Sequence, residues 1–293
     1  MDAVCIKGSW DLVMCKDGNG KLEGALVFHI RKYRGFTLLL MPPLTSYSGI
    51  YYNYPQNLKR HSKTSFEIRV ANNLLEQLPK HDLIYLQLHP SITNGLPFYW
   101  KNFHQSTRYT YKIDTSQETD ILWENLKGNV RTNIRNSEEA CIIESSNLEA
   151  FWRHCVAAYA ARNRVVPFNR QVLENLSTAF KASDNLEIKL VKSSSDDKVL
   201  GGAITVSDQN TRYYLAGFYY PNTSPKYAFS YLLWHIIKNN PQKSFDMEGS
   251  IIPEIEHFFR SFGGDLTPHF KVWKVNNILL RWLFKLKTPS FLK

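Results

Sequence analysis

The chain of 293 residues is 43% apolar and 21% charged, the composition of a folded, water-soluble protein of one large domain or about two ordinary ones. That balance excludes wholesale disorder and collagen-like or low-complexity classes, and no apolar run approaches the roughly 18 residues of a membrane span. Thirty-six Lys+Arg against 26 Asp+Glu leave a net charge of +10, which favours a polyanionic partner (nucleotide, phosphate-rich cofactor, tRNA or anionic membrane surface) over an idle basic surface without choosing among them.

Met1-Asp2-Ala3-Val4-Cys5-Ile6-Lys7 has no apolar core of a signal peptide. The cysteines at 5, 15, 141 and 155 form no Cys-x-x-Cys pair, which fits a reducing cytoplasm rather than a zinc site or a disulfide framework. The first 60 residues read as strands: 10–15, a hairpin turn at Asp17-Gly18-Asn19-Gly20, then 25–30. Residues 36–41 are continuously apolar up to Pro42-Pro43, as in a strand covered on both faces. Phe66, Val70, Leu74 and Leu78 predict a helix over 65–78, ended by Pro79, and strands follow at 83–88 and 109–113.

Asp114-Thr115-Ser116 reads as a boundary and a helix entry, with Ile121, Leu122, Leu126, Val130 and Ile134 forming one helical stripe. A brief strand at 141–143 precedes a helix over 148–161 and another from Pro167-Phe168-Asn169 to about 182. An antiparallel meander comes next (186–192, 199–206, 212–218), then a helix over 225–238, a strand at 244–247, a helix at 253–262 and a strand at 266–272. The last twenty residues read as a basic helix. Two consecutive blocks thus run in comparable order, which predicts a duplicated α/β unit with domains 1–114 and 115–293.

The segment Tyr219-Tyr220-Pro221-Asn222-Thr223-Ser224-Pro225-Lys226 turns from a strand into a helix, with Ser224 as N-cap and Pro225 in the first helical position. The free N–H groups of such a helix can hold a phosphate, and Lys226 adds a full charge; a well-capped helix without a ligand is the plainer alternative. Gly201-Gly202 lies within the meander, and no Walker sequence is present.

The order of strands, capped helix, strand, helix and strand resembles the GNAT acyltransferase fold. The motifs resemble its duplicated relatives, the FemABX-type peptidyltransferases and the FemAB-like proteins of Bacteroidetes-type bacteria. Trp123 followed by Arg131-Thr132-Asn133-Ile134-Arg135, the helix of Ala228 to Ile237 with Trp234, Phe245-Asp246-Met247-Glu248-Gly249, Phe259-Arg260-Ser261-Phe262-Gly263 and Met41-Pro42-Pro43-Leu44-Thr45 carry the resemblance. It implies two tandem GNAT-like mixed-sheet domains, the first starting late and so incomplete. It also implies transfer of an acyl or aminoacyl group from acyl-CoA or aminoacyl-tRNA, used as a co-substrate, to an amine such as a cell-envelope precursor. Arg260 stands where these relatives often have Lys, keeping the charge in a fork that cannot surrender a proton at neutral pH.

Such chemistry needs alignment, a base and an oxyanion site. Asp246 and Glu248, near a strand end, are the candidate bases, against a turn Asp and a surface Glu. Tyr219 is the candidate acid among neighbours that include Tyr220 and Tyr227. Ser224, Lys226, Tyr227 and Arg260 are expected to bind the donor, and Arg131, Arg135 and Phe259 the acceptor; a solvated helix face explains the two helical arginines equally well. No His or Cys spacing predicts a metal site, and adjacent His154-Cys155 point apart on a helix. The apolar and cationic tail at 278–287 packs on the core or rests on an anionic bilayer. A catalytically idle module of the same fold, holding a nucleotide- or lipid-linked glycan, is the competing function; a nucleic-acid binder has no motif in its favour.

Overall fold

The computed structural model describes residues 1–183, 185–221 and 227–286, with the side chains of 284–286 left aside. In chain order the first run holds β1 (Ser9–Lys16), β2 (Leu22–Tyr33), β3 (Phe36–Leu40), β4 (Gly49–Tyr52), α1 (Arg60–Glu76), β5 (Leu83–Gln87), α2 (Leu96–Trp100) and β6 (His104–Asp114). The second holds α3 (Thr119–Asn125), α4 (Gly128–Glu138), β7 (Cys141–Ser145), α5 (Leu148–Ala160), α6 (Arg170–Ala179), β8 (Leu186–Ser193), β9 (Val199–Ser207), β10 (Thr211–Tyr219), α7 (Ala228–Lys238), β11 (Ser244–Asp246), α8 (Pro253–Arg260), β12 (Asp265–Val275) and α9 (Ile278–Leu286).

The two runs repeat one plan. Three antiparallel strands (β1-β2-β3, then β8-β9-β10) lead through a crossover helix (α1, α7) to a strand parallel to the third (β5 on β3, β11 on β10). A helix and a long strand complete each run. The long strands do not stay with the run that made them: β12 pairs antiparallel with β5 at Lys271 opposite Gln87, whereas β6 pairs antiparallel with β11 at Lys112 opposite Asp246. Two compact units result, unit 1 being Met1–Arg108 with Pro268–Lys293, and unit 2 being Tyr109–Thr267. The boundary read near residue 114 falls in β6, and the segment 268–293, read as part of the second domain, belongs with the first unit because its strand pairs there.

Each unit has its own core. In unit 1 the apolar side of α1 (Phe66, Val70, Ala71, Leu74) packs on Leu26, Phe28, Leu39, Ile84, Leu86 and Val272, while a smaller cluster on the other face joins Leu83, Tyr85 and Leu280 of α9. In unit 2, α4 and α7 bring Val130, Ile134, Leu232, Leu233 and Ile236 against the sheet, with Phe245 wholly buried. No helix among the described residues is long and apolar enough to cross a membrane.

The charge is divided unequally. Unit 1 has 19 Lys+Arg and 7 Asp+Glu, a balance of +12, whereas unit 2 has 17 and 19, a balance of −2. The basicity of the chain therefore belongs to unit 1.

Asp82 fastens the returning C-terminal segment to unit 1. Its carboxylate accepts the Thr37 N–H and the Asn277 side-chain amide, each at 2.8 Å, and its carbonyl accepts the Asn276 N–H. The Thr37 bond first, then that of Asn277, holds its carboxyl below the ordinary carboxylate range. A carboxyl depressed on folding adds stability above its unfolded value, near 4, and loses it as the pH falls through the lower folded value. Asp82→Ala is expected to cost about 1–2 kcal/mol at pH 7 and little at pH 2. Urea unfolding at both pH values, with hydrogen exchange of the α9 amides, checks this; an equal loss at both refutes the linkage.

Candidate functional site

β10 and β11 are in register for three pairs only, from Thr211 with Ser244 to Tyr213 with Asp246. β11 then ends, while β10 runs on to Tyr219. Just past the last shared pair, the register of β10 against β9 slips between Tyr214 and Ala216, a bulge that bends the strand. From Tyr214 onward β10 thus has no partner from β11, a parting at strand ends of the kind where open α/β sheets place their ligands.

The turn after β11 forms one wall. Asp246 is wholly buried and its Oδ1 accepts the Thr110 hydroxyl at 2.5 Å and the Glu248 N–H at 2.8 Å, while Lys112 lies 3.8 Å from Oδ2. Glu248 and Gly249 both take left-handed backbone (φ 54 and 65), and a Cβ on Gly249 would stand 1.9 Å from the Tyr109 carbonyl oxygen, so only glycine fits there. Of the two expected bases, Asp246 is thus committed to building the turn, and Glu248, half-buried, is the carboxylate that the turn presents. Burial raises the pKa of the Tyr214 hydroxyl and so holds it protonated, and the nearby Tyr159, Cys155 and Glu248 add to that in the same direction. The Tyr214 hydroxyl lies where Gly217 has no side chain, 2.2 Å from where a Cβ would be. Tyr214 is a residue the sequence reading missed; its signal is the strand bulge beside a glycine, which a residue pattern does not show.

Tyr219 ends β10 with its ring 48% exposed, the Arg162 guanidinium 4.3 Å from the ring centre and Arg162 Nη2 donating to its carbonyl at 3.0 Å. The helix expected to start at Pro225 starts at Ala228, and its N-cap is Tyr227, left-handed at φ 72 and half exposed, with no side-chain cap. Ser224, Lys226 and the rest of 222–226 lie outside the described residues.

The Phe259-Arg260-Ser261-Phe262-Gly263 stretch is a structural joint. Phe259 (6% exposed) and Phe262 (2%) are core residues, and Phe259 packs edge-on to Tyr214. The expectation that Phe259 touches substrate is corrected: its ring is spent in the core. The Ser261 carbonyl accepts the Lys127 N–H at 3.0 Å, so the last turn of α8 sits on the first turn of α4. This joint puts Arg260 and Arg131 within about one helical turn, ~5 Å, of the same bond, with His257 Nε2 at 3.4 Å from Lys127 Nζ. Arg260 pairs with Glu256 at 3.0 Å and Glu256 also accepts the Tyr111 hydroxyl at 2.5 Å. Arg135, one turn past Arg131, lies instead over Trp123 at 5.3 Å, and Trp123 in turn leans on Trp234. The tryptophan and arginine motifs thus serve packing at one end and charge at the other.

His154 and Cys155 diverge as the helix requires: His154 Nδ1 faces the Tyr220 hydroxyl at 3.2 Å, whereas Cys155 is wholly buried and its thiol is pushed up to about 11 by burial. No group of three or more potential metal ligands occurs among the described residues.

Residues 124–247 match the acetyltransferase (GNAT) domain family, a span that holds the meander, α7 and the parting of β10 and β11. In structure the chain is similar to FemX (TM-score 0.67, 12% identity, covering 97% of this chain and 91% of that one). It is also similar to L-PGS from Bacillus licheniformis (0.53, 11%, 95% and 89%) and to the tandem GNAT protein from the clavulanic acid biosynthesis pathway (0.52, 9%, 90% and 82%). None of the curated proteins matches it in sequence.

Asp246→Ala leaves the Thr110 hydroxyl and the Glu248 N–H without their acceptor inside the core, an expected loss of roughly 2–4 kcal/mol. Glu248→Gln, which keeps the size and shape of the side chain, is expected to cost less than Asp246→Ala. Denaturant unfolding of the two variants side by side tests the division of roles; equal losses would show that both carboxylates are structural.

Proposed function

Since the chain is a GNAT-fold protein of FemABX-like architecture, we propose that it is an acyltransferase. It moves an acyl or aminoacyl group from acyl-CoA or aminoacyl-tRNA to an amine, a cell-envelope precursor being the acceptor in keeping with FemX-like architecture. The observation that carries the reading is the parting of β10 from β11 directly after Tyr213 and Asp246, beside a bulge at Tyr214. Backbone N–H and carbonyl groups that no β11 strand takes up suit the amide-rich arm of a CoA donor and the oxyanion of the tetrahedral intermediate.

In this mechanism the amine nitrogen attacks the acyl carbonyl carbon. Glu248 removes a proton from that nitrogen, the carbonyl oxygen becomes an oxyanion facing the unpaired stretch of β10, and collapse expels the donor's sulfur or ribose oxygen. Tyr214 donates the proton the leaving group needs, and its burial keeps the hydroxyl protonated up to the moment of use. Tyr219 and Tyr227, both half exposed, line the mouth as donor contacts together with Ser224 and Lys226. Arg131 and Arg260, with Lys127, hold the anionic part of whichever substrate enters on that side; Arg135, laid on Trp123, supports them from the same helix. No tightly bound cofactor or metal enters the scheme. The protein works in the cytoplasm, with the amphipathic α9 as its contact with the inner face of the membrane.

The test is a thermal-shift screen with acetyl-CoA, CoA and bulk tRNA, followed by product detection with radiolabelled donor. One donor class is expected to raise the melting temperature by several degrees. Glu248→Gln is expected to keep that shift while lowering turnover by roughly 10²–10⁴-fold, and Tyr214→Phe by about tenfold or more. If neither millimolar CoA nor micromolar tRNA moves the melting temperature, the donor site is elsewhere or absent. Retained binding with no turnover for any donor supports the idle module instead, a reading for which the engagement of Arg260 by Glu256 already speaks.

A further inference from the structure

From unit 1 we infer an oxyanion-binding site, for a phosphoryl or carboxylate group, on the face of its sheet that α1 does not cover, built from Arg108, His269 and Lys271 with Tyr47 and His89 at its edge. It lies among residues that the transfer scheme does not use, and it stands whether or not unit 2 is an acyltransferase.

The register of β12 on β5 places Trp273 opposite Tyr85 and Lys271 opposite Gln87. Opposite residues share a face and alternate residues return to it, so His269, Lys271 and Trp273 form one row beside Tyr85 and Gln87. The intervening side chains, Phe270 and Val272, point to the core under α1. A sheet face covered by apolar structure is normally Val, Ile or Leu. Here it carries a lysine at 2% exposure and a histidine at 6%. The Lys271 ammonium lies 5.1 Å from the Trp273 ring centre, and His104 stacks on Trp273 at 5.4 Å. Arg108 follows His104 by four residues on the same strand and hence on the same face. Its guanidinium is the charge that acts on Tyr85, His269 and Lys271 alike.

Two observations point to an anion rather than to a structural charge cluster. First, His269 Nδ1 is buried and has no hydrogen-bond partner, a state that is unfavourable unless something occupies it. The Tyr47 ring approaches His269 edge-on at 5.1 Å and His89 at 5.3 Å, so the two histidines flank one tyrosine. Second, none of the seven carboxylates of unit 1 is held against Arg108. Glu23 pairs with Arg69, Glu67 with Tyr54, Glu76 with Lys101 and Asp82 with Thr37 and Asn277, while Asp2, Asp11 and Asp17 bond to neighbours before residue 22. In a unit with a balance of +12, the field draws anions in, and the planar fork of Arg108 beside a lone imidazole nitrogen gives an oxyanion complementary donors. Tyr47, His89 and Arg108 are half-buried, which leaves them on the side from which a ligand arrives.

The experiment is calorimetric titration of the whole chain at fixed ionic strength with pyrophosphate, phosphate and citrate, so that phosphoryl and carboxylate sources are separated. Saturable binding of at least one is expected, weakened at least tenfold in Arg108→Gln and less than threefold in Arg108→Lys. Arg31→Gln serves as the control: it removes one cation from a separate surface cavity of about 390 Å³ lined by Lys7, Arg31 and Lys32, and is expected to change the affinity less than twofold. Histidine nitrogen-15 spectra of the unmodified protein supply a readout that needs no variant, since the His269 resonances should move with the same saturation curve. The inference is overturned if none of the three anions binds below 10 mM, if Arg31→Gln weakens binding as much as Arg108→Gln, or if the His269 resonances stay still while binding saturates. Failure of acyl transfer in the presence of such binding would leave this site standing, and the converse result would remove it alone.

Discussion

A parallel strand pair can be kept only while both chains continue, and β11 stops after three residues. Its stop is enforced by Asp246, whose carboxylate is committed to Thr110 on one side and to the Glu248 N–H on the other. Those two bonds hold the turn out of the sheet, with Glu248 and Gly249 in left-handed backbone, and β10 continues with β9 as its partner but without β11. What makes unit 2 a candidate catalyst, the end of the β10–β11 pairing next to a carboxylate and a buried phenol, follows from that single buried acid. Two hydrogen bonds and the Lys112 ammonium at 3.8 Å around one buried carboxylate also make the turn rigid.

The second constraint is the exchange of long strands. Since β12 completes unit 1 and β6 completes unit 2, neither run of the chain holds a finished sheet by itself. The chain pays for this in contact order, because both closures join residues far apart in sequence, such as Thr110 with Asp246. Arg108 and Thr110 stand two residues apart on β6, yet Arg108 belongs to the basic unit and Thr110 bonds to Asp246 of the other.

Much of this was legible in the sequence and some of it could not be. Strands with strong apolar character, such as 36–41 and the three-stranded meander, and helices with regular stripes, such as 148–161, stand where periodicity puts them. The stripe from Ile121 to Ile134 reads as one helix but is two. Leu126 (3% exposed) keeps the apolar spacing intact while it and Lys127 take extended backbone, so that Lys127 can bond to Ser261. That break is dictated by a tertiary partner 134 residues away, and no local pattern reports it. β4, with four residues, and α2, with Pro97 in its first turn, fall below the length at which periodicity speaks. Partner choice is also silent in the sequence: the pattern of β12 is the same whichever sheet receives it.

The same limit explains the site residues. Short motifs mark positions that are sensitive to replacement, without saying whether packing or chemistry makes them so. Phe259 and Asp246 belong to the first kind, one filling the core and the other holding a turn. Charge is the property for which the sequence understates the structure most. A net +10 spread over a surface would be weak guidance, but an excess of +12 in one unit beside a slight deficit in the other is an assignment of labour. The GNAT-matching unit is nearly neutral, and its local cluster of Lys127, Arg131 and Arg260 gathers where α8 meets α4. The long-range field that draws in an anionic molecule comes from the other unit, where Lys271 at 2% exposure and His269 at 6% stand with the half-buried Arg108 on the sheet face that α1 does not cover. Burying a lysine where Val or Leu would fold more cheaply is a cost, and the buried His269 Nδ1 in the same row, which no hydrogen bond takes up, is the stronger physical ground for assigning the face a ligand.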